Sequence, residues 1–206
     1  MPARPRELAA GTGRLLRDPA FLGLTFVGGF GMASFFVFLA SASFVYTEEF
    51  GLSPTGFSIA FAINALGFFA ATQAAASLGE RYGMARVVRL AVTAFAAVAC
   101  VLVLLVLAGF GSLPVIVAML FLGNACLGLV IPTVAVMALD PHPDIAGLAS
   151  SLGGTLQMLT GGAMIAIAGP FFDGTALPMV VAIASAGVLA CLTALATFRG
   201  RAERVA

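Results

Sequence analysis

Charged residues divide this chain into long, uncharged and mostly apolar runs, which cover residues 19–47, 50–79, 90–139, 145–172 and 174–198. A helix that crosses the roughly 30 Å hydrocarbon core of a bilayer needs about 20 mostly apolar residues. Four runs can hold one such helix each. The run 90–139 can hold two, separated by GFGSLP at 109–114. The pattern therefore predicts six membrane-spanning helices, over residues 20–44, 54–78, 87–108, 114–138, 146–168 and 177–198.

Helix-capping signals lie at the predicted boundaries. Asp18, Ser53 and Ser112 each stand at or near a proline that can occupy the first helical turn. Asp144 is the candidate cap of the fifth helix and Thr175 that of the sixth. The apolar runs are continuous and lack the alternation of a membrane-barrel strand. We therefore expect an all-α integral membrane protein.

The composition agrees with a membrane protein. The mean hydropathy is +1.11 and only 9% of the residues are charged, whereas about a quarter are charged in a soluble domain. The three cysteines, Cys100, Cys126 and Cys191, lie singly in apolar runs. They match neither a disulfide framework nor a metal-ligand spacing, so we interpret them as buried small hydrophobes.

The arginines are distributed asymmetrically about the predicted spans. Six spans place the N-terminal segment, the loops 79–86 and 139–145 and the C-terminal segment on one side of the membrane. That side receives all ten basic residues of the chain: Arg4, Arg6, Arg14, Arg17, Arg81, Arg86, Arg89, Arg199, Arg201 and Arg204. The loops on the other side, near 45–53, 109–113 and 169–176, carry only Glu48, Glu49 and Asp173 as charges.

Cytoplasmic loops attract arginine and lysine, so both termini are predicted to be cytoplasmic, in a plasma (inner) membrane protein. The expected organisation is a cytoplasmic N-terminal tail over 1–18, a six-helix bundle over 19–198 and a cytoplasmic C-terminal tail over 199–206. The N-terminal basic segment is not interpreted as a signal peptide, because the apolar run after it is too long and lacks a cleavage site.

The polar residues argue against an enzyme. No acid, base or histidine lies deep in a predicted span, where such a group would mark a proton or ion pathway. The one histidine, His142, lies in the segment LDPHPDIAG and is interpreted as a solvated loop residue. No nucleophile–base set, phosphate loop or metal-ligand cluster is present in the sequence, so we expect no cofactor, no metal and no nucleic-acid partner.

Small residues recur every four positions on the second predicted span, at Gly67, Ala71, Ala75 and Gly79. Such a smooth face lets helix backbones approach closely, so these residues are predicted to pack against another helix. The fifth span carries a similar strip that begins at Gly147.

Neutral polar side chains also lie at membrane depth: Ser34, Ser41, Asn64, Asn124 and Gln157. On the first span, Phe30, Ser34, Phe38 and Ser41 share one helical face. This face could contact an apolar, mildly polar solute or simply pack against a neighbouring helix, and the pattern alone leaves both readings open.

Three segments resemble a known transporter family. LGERYGMAR, residues 78–86, resembles the signature between the second and third helices of each half of a major facilitator superfamily transporter. Leu78, Glu80, Arg81 and Gly83 fit that signature, whereas Ala85 stands where a basic residue is common. ALDPHPDIAGLASSLGGTLQM at 138–158 and FVYTEEFGLSP at 44–54 are similar to the Bcr/CflA (bicyclomycin-resistance) type of drug-efflux transporters.

The resemblance implies the C-terminal six-helix half of a twelve-helix transporter, built as a three-plus-three inverted repeat. The first and fourth helices of such a half line the central cavity, which implies solute contacts for Phe30, Ser34, Phe38 and Asn124. The gating role of the signature implies the same role for Glu80, Arg81 and Gly83. The membrane-embedded acids and arginines used for proton coupling in this family usually lie on the N-terminal half.

The expected function is therefore transport of a small apolar or amphipathic, drug-like solute, as half of a drug:proton antiporter. The expected partners are the lipid bilayer and either an N-terminal six-helix half or a second copy of the chain. A non-transporting truncated product, or a membrane protein that assembles with another complex, is the alternative.

Overall fold

The computed structural model describes the backbone of residues 5–203 and the side chains of residues 8–200. Residues 1–4 and 204–206, with Arg4 and Arg204 of the predicted tails, lie outside the described part. The described residues form seven α-helices and no strand: α1 (Pro5–Leu16), α2 (Pro19–Phe44), α3 (Pro54–Tyr82), α4 (Met84–Leu107), α5 (Leu113–Leu139), α6 (Ala146–Ala168) and α7 (Ala176–Glu203). The six helices α2 to α7 are long and apolar enough to cross a membrane, which confirms the predicted fold class.

Two of the predicted caps begin their helices as expected. The Asp18 carboxylate accepts a hydrogen bond from the Ala20 N–H at 2.8 Å, and the Ser53 hydroxyl accepts one from the Gly56 N–H at 3.2 Å. Both residues have extended backbones and are followed directly by a proline, which lacks the N–H that the first turn would leave unpaired. Ser112 is also extended, but its side chain forms no capping bond.

The other two predicted caps are wrong. Asp144 lies in a 3₁₀ turn (Pro143–Ile145) and its carboxylate accepts a hydrogen bond from the Arg14 guanidinium at 2.8 Å. Arg14 is on α1, so the pair joins the N-terminal helix to the start of α6. The first N–H of α7 donates instead to the Glu49 carboxylate, 127 positions earlier in the chain. The Thr175 hydroxyl instead donates a hydrogen bond to the neighbouring Asp173 carboxylate at 2.6 Å.

The predicted loop 79–86 is a single residue. The second span continues to Tyr82 and the third begins at Met84, so that only Gly83 lies between α3 and α4. Gly83 has a φ of +86°, and its N–H donates to the Gly79 carbonyl at 2.9 Å. A glycine in this region of φ is the usual end of a helix, because a Cβ would be strained there. Glu80 and Arg81 are therefore residues of the last turn of α3.

The ends of the chain also extend the helical structure. Within the predicted N-terminal tail, α1 packs against α2 and α6. At the other end, α7 passes residue 198 without a break and runs to Glu203. The last turn of the first span widens into a π-helical turn, Val45–Glu49, which carries the helix five residues past its predicted end.

The helices pack with an internal pseudo-symmetry. The extensively packed pairs are α2 with α5, α6 and α7, α5 with α3 and α4, and α4 with α7. Exchanging α2 with α5, α3 with α6 and α4 with α7 reproduces the same pairs. Each set of three spans crosses the membrane an odd number of times, so the second set is inverted relative to the first. This is the three-plus-three arrangement that the resemblance implied.

Two hydrophobic clusters fill the bundle, one toward each membrane face. The cluster at the arginine-poor end contains Tyr46, Ile116 and Met179, and the one at the arginine-rich end contains Phe21, Val88 and Ala149. By contrast, α3 and α6 bury few residues in the bundle. Their outward faces carry exposed large apolar side chains: Ile59, Ile63, Leu66 and Phe69 on α3, and Met158, Leu159 and Ile167 on α6.

Candidate functional site

Three of the four predicted solute contacts lie around one small cavity. Ser34 and Phe38 of α2 and Asn124 of α5 line it, together with residues of α4 and α7. Its volume is about 10 Å³, whereas pockets for drug-sized ligands are about 300–1,000 Å³. The cavity has room for about one water molecule, so these side chains are in mutual contact range but enclose no solute-sized space.

Phe30 does not join this group. Its ring lies 6.4 Å from that of Phe26 and packs against the cluster at the arginine-rich end of the bundle. It is one helical turn from Ser34 and shares its face, as the spacing predicts. The small cavity, however, lies further toward the opposite end of α2.

The polar side chains near this cavity donate their hydrogen bonds to other groups of the protein. The Ser34 hydroxyl donates to the Gly31 carbonyl at 2.7 Å and that of Ser41 to Val37 at 2.6 Å. The Asn124 amide donates to the Asn64 side-chain oxygen at 3.3 Å, and the Asn64 amide donates to the Ala60 carbonyl at 3.0 Å. Asn64 and Asn124 therefore join α3 to α5, which is the packing reading of these residues.

An aromatic cluster lies beside these amides. The rings of Phe38 and Phe61 stack at 5.7 Å, and Tyr46 contacts Phe38 and Phe57 edge-on. Tyr46 is fully buried, and its hydroxyl has no hydrogen-bond partner in the part of the chain whose side chains are described. Sequence reasoning missed Tyr46 because the first span was ended at residue 44. The spacing of Phe38, Ala42 and Tyr46, all buried, would have extended that helical face.

The predicted packing face of α3 lies along α5. A Cβ placed on Gly67 would approach the Phe121 backbone oxygen to 2.9 Å, and one placed on Gly128 would approach the Phe68 oxygen and the Ala71 Cβ. Further along, Ala75 is buried, and Gly79 lies near Met84. Gly67 and Ala71 therefore lie where the backbones of α3 and α5 come close together, whereas Ala75 and Gly79 line the open groove beyond that crossing.

A proline and a threonine add a polar bond to this crossing. Pro132 lies inside α5 and has no N–H, so it cannot donate to the Gly128 carbonyl one turn earlier. The Thr72 hydroxyl of α3 lies 3.2 Å from that carbonyl and 2.9 Å from the carbonyl of Phe68 in its own helix. The close approach at Gly128 thus brings a replacement donor to α5.

The predicted gating residues lie at the arginine-rich end of α3. Glu80 and Arg81 are exposed, and the Arg81 guanidinium lies 5.2 Å from the centre of the Tyr82 ring. Glu80 forms no ion pair with any side chain among residues 8–200. It lines an open groove of about 400 Å³ between α3 and α5, which also contains Thr72, Pro132 and Thr133.

The opposite end of the bundle presents carboxylates. Glu48 and Asp173 line an open groove of about 450 Å³ between the end of α2 and the α6–α7 connection. Hydrogen bonds from the Thr175 hydroxyl and backbone N–H lower the pKa of the Asp173 carboxyl. Within the described residues, no group of three or more His, Cys, Asp or Glu side chains is arranged to hold a metal ion.

The interpretation of His142 as a solvated loop residue is wrong. The residue is 4% exposed, and its Nε2 lies 2.9 Å from the Asp18 carboxylate. Because Asp18 caps α2, the histidine connects the α5–α6 turn to the start of the first span. Sequence reasoning treated LDPHPDIAG as an isolated loop, whereas the fold brings it against a residue 124 positions away.

Comparisons with known proteins agree with this architecture. The family model described as Major Facilitator Superfamily matches residues 2–166. The chain is 31% identical over 194 residues to the protein named "Uncharacterized MFS-type transporter YdgK" of Bacillus subtilis (strain 168), covering 94% of this chain and 47% of that relative. The chain thus spans about half the length of the curated relative that it matches, and no solved structure gives a significant match. The chain belongs to the major facilitator superfamily, and it is an integral membrane protein of a transporter family.

Proposed function

We propose that this chain is the C-terminal six-helix half of a Bcr/CflA-type multidrug efflux transporter, and that it acts in drug:proton antiport together with a second six-helix bundle. The observation that carries the proposal is the inverted pairing of three helices with three. In transporters built from such repeats, the solute lies between two bundles that rock against each other. One bundle therefore supplies one wall of the site.

For antiport the second bundle is an N-terminal half. Another copy of the chain could complete the cavity wall for facilitated diffusion, but it would supply no group that titrates within the membrane. The outward faces of α3 and α6 carry large exposed apolar side chains and few buried positions. Large apolar side chains on these faces can contact either lipid or a second bundle. The relative, of which this chain covers 47%, is long enough to contain both bundles.

The solute is proposed to be small, apolar or amphipathic, and drug-like. Ser34, Phe38 and Asn124 would contact it once the cavity of about 10 Å³ opens, with Phe30 one turn further along α2. The rings offer apolar contact, while the Ser34 oxygen retains capacity to accept a hydrogen bond. Opening would separate α2 from α5 at these residues.

Glu80, Arg81 and Gly83 are proposed to gate the cytoplasmic side, as their counterparts do in the family signature. Only Gly83 separates the end of α3 from the start of α4, so movement at the end of one helix is passed directly to the start of the other. With both termini in the cytoplasm, as the arginines predict, these residues lie at the inner face of the plasma (inner) membrane.

The chain alone is expected not to drive export with protons. Proton coupling needs a group that titrates within the membrane, and the carboxylates here lie in the sequence outside the central turns of the six spans. The test is uptake of an apolar fluorescent dye by proteoliposomes of the purified chain, with and without an imposed pH gradient. We expect no uphill accumulation. Gradient-dependent accumulation would refute this part of the proposal.

Solute contact is tested by Ser34→Ala in the assembled transporter or in a dimer of the chain. The matched control is Ser185→Ala. Ser185 is exposed on α7, and its hydroxyl also bonds its own helix, donating to Val181 at 2.8 Å. We expect dye affinity to fall severalfold in Ser34→Ala and to stay unchanged in the control. Equal affinities would remove Ser34 from the site.

The alternative is a non-transporting membrane protein that assembles with another complex. The closed cavity of about 10 Å³ favours it over transport by an isolated bundle. Absence of dye binding and of flux, both for the chain alone and with a second bundle, would support this alternative.

A further inference from the structure

His142 lies where the α5–α6 connection, in the second set of three spans, meets the start of α2, the first helix of the first set. It lies in the connection between α5 and α6, with its Nε2 2.9 Å from the carboxylate that caps α2. The ring contacts Phe21 edge-on, with centroids 6.0 Å apart. A 4%-exposed histidine beside an acid is far from the solvated side chain of an ordinary connecting turn.

The second ring nitrogen, Nδ1, takes no part in the contact with Asp18. The Nδ1 atom of His142 is buried and has no hydrogen-bond partner in the part of the chain whose side chains are described. Buried polar atoms without partners are rare, because each costs the free energy of lost hydration. The two ring nitrogens of this histidine therefore have different roles.

The Asp18 partner fixes which nitrogen can gain a proton. An ionised carboxylate only accepts hydrogen bonds, so Nε2 carries a hydrogen toward Asp18 in the neutral ring. The lone pair is then on Nδ1, and a proton taken up by the ring binds there. That uptake converts a hydrogen bond between a neutral ring and an anion into an ion pair, which is a stronger contact.

The charges around the ring favour this role for Asp18. Burial alone would raise the pKa of the Asp18 carboxyl. Hydrogen bonds from the Ala20 and Phe21 N–H groups and from His142 outweigh that effect and hold the pKa below its ordinary value. On the adjoining elements, Arg14 of α1 is engaged by Asp144, whereas Arg17 and Asp140 are exposed. Asp18 is thus the charge in direct contact with the ring.

We propose that His142 and Asp18 form a proton-binding latch at the arginine-rich end of the bundle, in which proton uptake on Nδ1 tightens the α5–α6 connection against the start of α2. Imidazole is the side chain whose charge ordinarily changes between pH 5 and 8. The latch joins the first helix of one repeat to the end of the first helix of the other. It is independent of which solute the transporter carries.

His142 is the only histidine in the sequence, so ¹⁵N-histidine labelling of the purified chain in detergent gives the NMR signals of this ring alone. At pH 8 we expect the tautomer with hydrogen on Nε2, and at lower pH a proton on Nδ1. In Asp18→Asn, the ratio of protonated to neutral ring at a fixed pH should fall, because a neighbouring anion is lost. Asparagine caps helices as well as aspartate does, so α2 is retained.

The tightening is measured by amide hydrogen exchange of residues 139–146 at pH 6 and pH 8, corrected for the intrinsic pH dependence of exchange. We expect about threefold to tenfold greater protection at pH 6. That difference should disappear in His142→Gln and persist in Asp140→Asn, a control in the same turn. The proposal is overturned if the ring stays neutral from pH 5 to 9, if Asp18→Asn leaves the protonation ratio unchanged, or if protection does not follow protonation.

Discussion

Replacing Gly128 with alanine tests how closely α3 and α5 depend on each other. The new Cβ would lie within van der Waals overlap of the Phe68 backbone oxygen and 3.1 Å from the Ala71 Cβ. Neither contact is with the end of a flexible side chain, so relief requires the two helices to separate. Overpacking of this kind costs about 1–3 kcal/mol.

Separation would also break a hydrogen bond. The single hydrogen of the Thr72 hydroxyl is shared between the Phe68 carbonyl at 2.9 Å and the Gly128 carbonyl at 3.2 Å, so a small movement removes the bond to Gly128, whose usual intrahelical donor is absent at Pro132. Interhelical hydrogen bonds in membrane proteins average about 0.6 kcal/mol. Against these losses stands the better helix propensity of alanine, about 0.5–1 kcal/mol. We expect a net loss of about 1–3 kcal/mol in the free energy of unfolding.

The matched control is Gly162→Ala on α6. Gly162 is exposed on a membrane-spanning helix, and a Cβ there meets no atom of the described residues within 4 Å. This variant should be as stable as the parent chain or more stable by up to about 1 kcal/mol. Stability is read from the helical circular dichroism of the purified chain during SDS titration of detergent micelles. If Gly128→Ala proves as stable as Gly162→Ala, the close crossing of α3 and α5 is refuted.

Two further predictions concern the ends of the bundle. The first uses chains in which the native cysteines are replaced and membrane-impermeant thiol reagents are added outside intact cells. Cysteines placed at Glu48 or Asp173 should be labelled, and one placed at Arg86 should not. The reverse pattern would contradict the orientation predicted from the arginines. Because the folded-state pKa of Asp18 is lowered, its contribution to stability is present above the ordinary aspartate pKa and is lost as the pH falls through the lowered value. The thermal midpoint in detergent should therefore fall less steeply between pH 5 and 3 in Asp18→Asn than in the parent chain. Parallel curves would show that Asp18 does not contribute to this loss of stability.

The sequence was sufficient to predict the six spans, because span length and charge spacing are set by the bilayer and need no knowledge of which helices touch. The caps Asp18 and Ser53 were also predictable, since their hydrogen bonds reach only two or three residues along the chain. Helix ends that depend on distant residues were not. Asp144 and Thr175 have the composition of caps, but Arg14 engages the first and Glu49 supplies the bond expected of the second.

The candidate site was likewise predictable from the sequence only where it depends on local spacing. Helical spacing predicted that Ser34 and Phe38 share a face, and the family resemblance implied Asn124 on another helix beside them; the three residues line one small cavity. Spacing could not predict the closure of the cavity, which depends on side chains of α4 and α7. His142 was misjudged because its burial comes from the contact between the α5–α6 connection and α2, and no local pattern encodes that contact.

The bond between Glu49 and the first N–H of α7 has a consequence for biosynthesis. Glu49, at the end of the first of these six spans, is synthesised before α7, and the group that it caps follows 127 residues later. Until α7 is inserted, the Glu49 carboxylate must remain hydrated at the membrane surface. It can then accept the hydrogen bond from the first N–H of α7. The end of α2 can thus set the depth at which α7 begins, so that the sixth of these spans is aligned in the membrane against the first.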